Sequence, residues 1–322
     1  MRVDDYYFIE RRHIMNFISY DQFCVNVKDA IKKNYSEDAS VQLHTVRKLN
    51  GVILKGISIT TKNGNIMPTL YLDKFYSEYE DGTPFDEVVR LFLDEYERAG
   101  VKENFDIQFF NEYEKVKLHL GFKLMHYEMN KELLMPIPYK RFLDLAMVCF
   151  CDIRDKQIGH GSITIKKEHL EMWEITEEEL FRDAMENMVR LYPSDFMNMA
   201  DVLKELYKDP AGLLSIPLPM YVLTNTDRLN GAASLLYKGK MEEIAKVMRG
   251  DYYVLPSSIH EVIIIPKKET GTDENYLSQM VDEINHEQLD REEILSNHAY
   301  LYHADTKKLS SLPLVPYKKN RS

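Results

Sequence analysis

The densest set of side chains able to do chemistry is the pentapeptide Ser257-Ser258-Ile259-His260-Glu261. A hydroxyl, an imidazole and a carboxylate can act as nucleophile, general base and orienting group. Triads draw their members from separate segments, because three side chains on one tight turn point in different directions. The bland alternative is that Ser257 and Ser258 satisfy turn backbone while His260 opens the next strand. Asn225-Thr226-Asp227 follows a neighbouring apolar run. If the two strands are adjacent, both turns lie at one sheet end and share a cleft. Asn225, Ser257, Ser258, His260 and Glu261 would then form the site of a hydrolase or transferase. Asn-Thr-Asp is equally an ordinary turn or cap sequence.

Other reactive types are sparse. His298 and His303, with Asp305 beyond, are spaced as ligands at a strand end, although a metal site also needs groups behind its ligands and a solvated terminal segment fits as well. His126, His169 and His286 each stand beside a single Glu, as this Glu content produces by chance. Cys24, Cys149 and Cys151 form no C-x-x-C, and Cys149 and Cys151 share one face if their run is a strand. They read as buried small hydrophobes, with a redox pair as the alternative. The chain has no phosphate-loop, dinucleotide, nucleophile-elbow or zincin motif, and Gly159-His160-Gly161 reads as a turn. No cofactor and no metal is expected.

The elements that position these residues alternate between strand and helix periods. Ser19 and Gln22 have capping-box spacing before a helix over 19–33. Asn50-Gly51 and Asn63-Gly64 punctuate apolar runs, predicting two-residue hairpin turns and a three-stranded meander over 41–72 with Pro68 at an edge. Thr83-Pro84 opens a helix that Gly100 ends, with Phe85, Val88, Val89, Phe92, Leu93 and Tyr96 inward. Segments 142–150 and 162–170 read as strands joined by a polar loop. Thr176 and Glu179 form a capping box for a helix ended by Pro193, and a weaker helix covers 200–207. The apolar runs 221–225, 252–256 and 261–266 suit strands buried on both faces. A helix with Met241 and Met248 inward precedes the second of these runs, and a last helix covers 273–286. Met185, Met188 and Met280 also fall at core spacing.

The fold class this predicts is α+β, in two modules, each a mainly antiparallel sheet with helices packed on it. The boundary is placed at Pro136-Ile137-Pro138, giving a module over 15–136 and another over 137–305. Residues 1–14, acidic and aromatic without a secretory h-region, read as an N-terminal extension, and 306–322 as a basic flexible tail.

Charge narrows the partners. The chain has 322 residues and a formal net charge of -11, which disfavours binding to nucleic acid or to an anionic membrane. Residues 73–98 carry nine acids against three bases, and 168–187 carry eight acids against Arg182. These read as solvated helix faces, or as an acidic decoy imitating a phosphate backbone in the manner of an antirestriction factor.

The segments NGVILKGISI, IMPTLYL, NKELL, PYKRFLDLAMV, HLEMWEITEEELFRDAMEN, MYVLTN, NGAASLLY, LPSSIHEVIIIP and EILSNHAYLY, in this order, resemble domain-of-unknown-function family 5688, found mainly in Clostridia-type bacteria. The resemblance spans about 16–304. From about 140 onward the pattern is also similar to family 1444 of the same series. Neither resemblance implies an activity or a catalytic residue. The first implies an association with mobile genetic elements. The expectation is a non-catalytic cytoplasmic protein that binds another protein, with the hydrolase or transferase and the acidic decoy as alternatives.

Overall fold

The computed structural model describes residues 18–35, 39–60, 68–99, 107–155, 159–206, 219–256, 258–270 and 273–314. Its contacts divide the chain into two units, Met1–Lys48 with Ile53–Asp106, and Leu49–Val52 with Ile107–Ser322. Each is α+β with antiparallel strand pairing.

In the first unit, alternating side chains pair β1 (Ser40–Arg47) with β2 (Ile53–Thr60), and β3 (Leu70–Tyr71) adds to β2. The meander is as expected, but the turn is longer. The last pair is Arg47 with Ile53, and Asn50 (φ 55°) and Gly51 (φ 73°) take left-handed conformations within the five residues between. Asn63-Gly64 lies outside the described residues. Three helices supply the remaining core: α1 (Tyr20–Lys32), α2 (Asp73–Glu80) and α3 (Phe85–Ala99). Phe23, Val27 and Ile31 meet Ile57 and Ile59, Phe75, and Val88, Phe92 and Tyr96. Ser19 Oγ accepts from Gln22 N, but the Gln22 amide turns to Asn26, so only half of the capping box forms.

In the second unit the long strand β6 (Leu145–Asp155) is the axis of one sheet. β4 (Leu120–His126) pairs along one edge, and β5 (Tyr139–Phe142) then β7 (Gly159–Thr164) share the other. The boundary drawn at Pro136 therefore falls inside this unit. β4 and β6 form one ladder across it, and Ile137 is buried with Met125, Leu134, Ala146 and Val148. A Pro-X-Pro segment enforces an extended link, and here it links two strands of one sheet. The expected strand over 142–150 begins only after the turn Leu143-Asp144, where Leu143 takes φ 55°. The expected strand over 162–170 ends at Thr164, and α4 (Lys167–Trp173) follows. Gly159-His160-Gly161 is part of β7 rather than a turn.

The second sheet has six strands in the order β13-β12-β10-β11-β9-β8. They are β8 (Ser194–Asn198), β9 (Tyr221–Asn225), β10 (Tyr252–Leu255), β11 (Val262–Pro266), β12 (Tyr300–His303) and β13 (Lys308–Ser311). Its apolar runs are covered on both faces, as expected. Leu223, Tyr252, Val254, Ile264 and Tyr300 face the large core, with α5 (Glu177–Leu191) on the same core through Leu180, Phe181, Ala184 and Met188. Val222, Tyr253, Ile263, Ile265 and Leu301 pack on Leu277 and Val281 of α8 (Glu274–Glu287). Two further helices are α6 (Met199–Leu206) and α7 (Lys240–Met248), beside shorter helical turns.

Three expectations change here. Residues 308–311, assigned to a flexible tail, form β13 against β12, and Leu312 is buried. Met185 is 41% exposed rather than in the core. Strand β8 falls between the helix ended by Pro193 and the helix over 200–207, where the sequence predicts no element.

Candidate functional site

β9 and β11 are neighbours, with Leu223 opposite Val262, so the two turns do meet at one sheet end. Asn225 folds its amide onto Leu229, donating to its carbonyl at 2.9 Å and accepting its N–H at 3.3 Å. Thr224 Oγ1 donates to the His260 carbonyl at 2.8 Å, and Asn230 N donates to His260 Nδ1 at 3.3 Å. The approach is so close that a Cβ on Gly231 would lie 2.1 Å from Thr224 Oγ1 and 2.4 Å from the His260 oxygen. Ser258 is buried, and its Oγ accepts from the main-chain N of His260 at 3.0 Å rather than addressing the ring. His260 Nε2 lies 3.7 Å from a Glu293 carboxylate oxygen. Burial pushes the Glu261 carboxyl above its usual range. Ser257 lies outside the described residues. At the same end Arg154 bridges the buried Asp152 at 2.8 Å and Asp227 at 2.9 Å, and Tyr192 OH donates to Asp152 at 2.7 Å. The turns are thus brought together, with Asn225 and Ser258 each holding backbone.

A second gathering of polar groups was not singled out from sequence. Asn50 is buried, and its Nδ2 donates to the carbonyls of Arg291 (2.7 Å) and Ile294 (2.8 Å). Its N–H and Oδ1 form a reciprocal pair with the amide of Asn130, at 2.8 and 2.7 Å. Arg291 Nε returns a bond to the Asn50 carbonyl at 3.0 Å. Beside them Asp144, on the strained Leu143-Asp144 turn, accepts from Ser296 Oγ and from Tyr300 OH, each at 2.7 Å. His126 is buried and accepts from Met129 N at Nδ1, 3.3 Å. Burial holds its pKa below the ordinary imidazole value, and Asn297 Nδ2 lies 3.4 Å from its Nε2.

This network backs a cleft of about 560 Å³ along one face of α8. Ser278, Asp282, Asn285, His286 and Leu289 recur at helical spacing on its wall, opposite Arg291, Ile294 and Asn297. The stripe escapes a search for motifs because its hydroxyl, carboxylate and imidazole (Ser278, Asp282 and His286) are spread along one helix among amides and apolar residues, in no recognised catalytic or metal-binding spacing. The polar interruption Ser296-Asn297-His298 in an otherwise apolar run was the available signal. A groove of about 730 Å³ in the first unit, between α1 and α3, is lined by the charged side chains Asp29, Lys33, Asp86 and Arg90.

The remaining candidates are placed in structural roles. His298 Nδ1 meets the Leu312 carbonyl at 2.9 Å, and His303 lies 3.3 Å from Ser310 Oγ. Among the described residues no group of three His, Cys, Asp or Glu side chains is placed to hold a metal ion. Cys149 and Cys151 are buried on one face of β6, and burial pushes the Cys151 thiol up to about 12. In the acidic stretches Glu95 pairs with Lys74, Glu87 with Arg90, and Asp183 with Arg182. No helix among the described residues is long and apolar enough to cross a membrane.

Compared with known proteins, residues 20–304 match the model of DUF5688, a family of unknown function. The chain belongs to that family. The likeness of the part beyond about 140 to family 1444 is not shown by this match. No curated protein and no solved structure matches the chain. Asn50, Asn130, Asp144, Ser296, Asn297 and Tyr300 all fall within the matched span and within the stretches that carry the family resemblance.

Proposed function

We propose that this DUF5688 member is a non-catalytic cytoplasmic protein that acts by binding another protein, as an accessory factor of the kind associated with mobile genetic elements. One observation carries the reading. The side chains best suited to chemistry hold backbone or one another, while the polar wall of the α8 cleft is concave and open to a ligand. A nucleophile needs its base within hydrogen-bond reach, and the Ser258 hydroxyl is directed at the main chain of His260. A binding cleft needs only shape and a few placed polar groups.

A specific observation also favours the hydrolase or transferase reading. Asn225, Ser258, His260 and Glu261 converge at one sheet end, and His260 Nε2 faces Glu293 as a base faces an orienting carboxylate. The acidic-decoy reading draws less support, since Glu87, Glu95 and Asp183 in the two acidic stretches pair with Arg or Lys.

The test is capture from the native host with the tagged full chain, identification by mass spectrometry, and reconstitution of the pair from purified components. A stoichiometric reconstituted complex is the expected result. Failure of every captured candidate to bind when purified, together with turnover of an ester or nucleotide that His260→Ala abolishes, rejects the proposal in favour of the enzyme.

A further inference from the structure

The chain delivers one of its own segments to the α8 cleft. Leu312 is buried, its N–H donated to the Ala299 carbonyl and its own carbonyl held by His298 Nδ1. Ser278 of α8 then donates its hydroxyl to the Pro313 carbonyl at 2.9 Å. Leu314, the last described residue, is 55% exposed and lines the cleft. Residues 315–322 therefore leave from the cleft wall, at the end marked by Ser278.

Their composition complements that wall. Val315-Pro316-Tyr317 is apolar and aromatic, and Lys318, Lys319 and Arg321 follow, with no acid among the eight residues. Residues 282–293 carry six acids against Arg291 and His286. Of these acids Asp282 lies on the wall, 3.4 Å from His286, and Asp290 is exposed between the lining residues Leu289 and Arg291. Met129, Leu289 and Ile294 give the cleft an apolar part. The length fits as well. From Ser278 to His286 the helix rises about 12 Å, and an extended chain gains about 3.3 Å per residue. Residues 315–318 thus reach far enough to bring Lys318 to the end where Asp290 stands. Pro316 disfavours helix at the residue before it, which preserves that reach. A segment tethered at the cleft has a high effective concentration there, so weak contacts suffice to dock it.

We propose that residues 315–322 dock in this cleft of their own chain, with Tyr317 against Leu289 and Ile294, and with Lys318 and Lys319 on Asp282 and Asp290. The Tyr317 ring also offers its face to the guanidinium of Arg291, whose Nε is held by the Asn50 carbonyl. The docked segment covers the cleft, and a partner that takes the cleft displaces it. The inference goes beyond the binding role, because it concerns the chain alone.

The experiment places the photoreactive residue benzoylphenylalanine in place of Tyr317 in the full chain. Chains with light and heavy nitrogen are mixed in equal amounts and irradiated, and the cross-linked peptides are read by mass spectrometry. The expected result is cross-links within one chain, concentrated at Met129 and residues 278–297. Lys318→Glu with Lys319→Glu should lower that yield about fivefold, and salt at about 1 M should do the same. Adding Asp282→Lys and Asp290→Lys to that pair of reversals should restore most of the yield. Unchanged melting temperatures show that the variants are folded. Cross-links between light and heavy chains only, cross-links scattered over other surfaces, or reaction with solvent alone overturns the proposal. So does a yield indifferent to both the charge reversals and salt. The docked segment and the binding role fail separately. Cleft cross-links in a chain for which no partner is reconstituted remove only the binding role, and a reconstituted partner with no cleft cross-links removes only the docked segment.

Discussion

His126 is a buried imidazole whose pKa lies below its ordinary value of 6.5, chiefly because burial disfavours the cation. The unfolded chain therefore takes up a proton that the folded ring refuses. The stability this ring contributes is complete above about 6.5 and falls as the pH drops below that value. His126→Gln should flatten the acid limb of melting temperature against pH, and an unchanged limb would remove His126 as its cause. Asp144 acts differently, since its two oxygens receive the hydroxyls of Ser296 and Tyr300. Asp144→Ala leaves both hydroxyls without their acceptor and should cost about 3 kcal/mol in denaturant unfolding. Little of this scale is legible in the sequence. Asn50 announces a turn through its Asn-Gly pair, but its partners are near 130 and 291, and no local pattern joins them. The unpartnered oxygen of Asn285 exists only because Ser296 turns its amide, which no spacing rule encodes.

Elements with strong local chemistry are legible, and those that depend on a neighbour are not. Thr176 and Glu179 exchange both capping-box bonds, at 2.9 and 3.2 Å, where the S/T-x-x-E spacing places them. The runs 221–225, 252–256 and 261–266 are strands because little but a two-sided core can bury them. Strand β13 has one apolar residue that points inward, Leu309, and takes its register from β12, so its own sequence reads as tail. Glycines separate the two kinds of constraint at this scale. Gly231→Ala would drive a methyl into Thr224, Asn225 and the His260 carbonyl and should destabilise by about 3 kcal/mol. Gly161 on β7 has nothing within 4 Å of a built Cβ, so Gly161→Ala should be neutral or slightly stabilising. Equal melting temperatures for the two variants would contradict the packing described at the 225–231 turn.

Across the whole molecule, two units with antiparallel sheets were foreseen, while the dividing line was not. Composition marks Pro136 as a break, but the ladder of β4 with β6 and the burial of Ile137 make it internal. Residues 49–52 belong to the second unit although the strands they join belong to the first. Asn50→Ala should therefore lower hydrogen-exchange protection in the second unit, by about 3 kcal/mol, through lost amide bonds and a left-handed backbone that Ala resists. Asn50→Gly, which accepts that backbone, should recover about 1 kcal/mol of it. Loss of protection confined to the first unit would contradict the assignment of Asn50. The central claim is that the gathered side chains bind and do not react. A turnover screen of the purified full chain against ester, phosphoester and nucleotide probes, run beside His260→Ala, tests it most directly. Rates for both proteins equal to buffer are the expected result. Turnover by the unaltered chain that His260→Ala abolishes would contradict it.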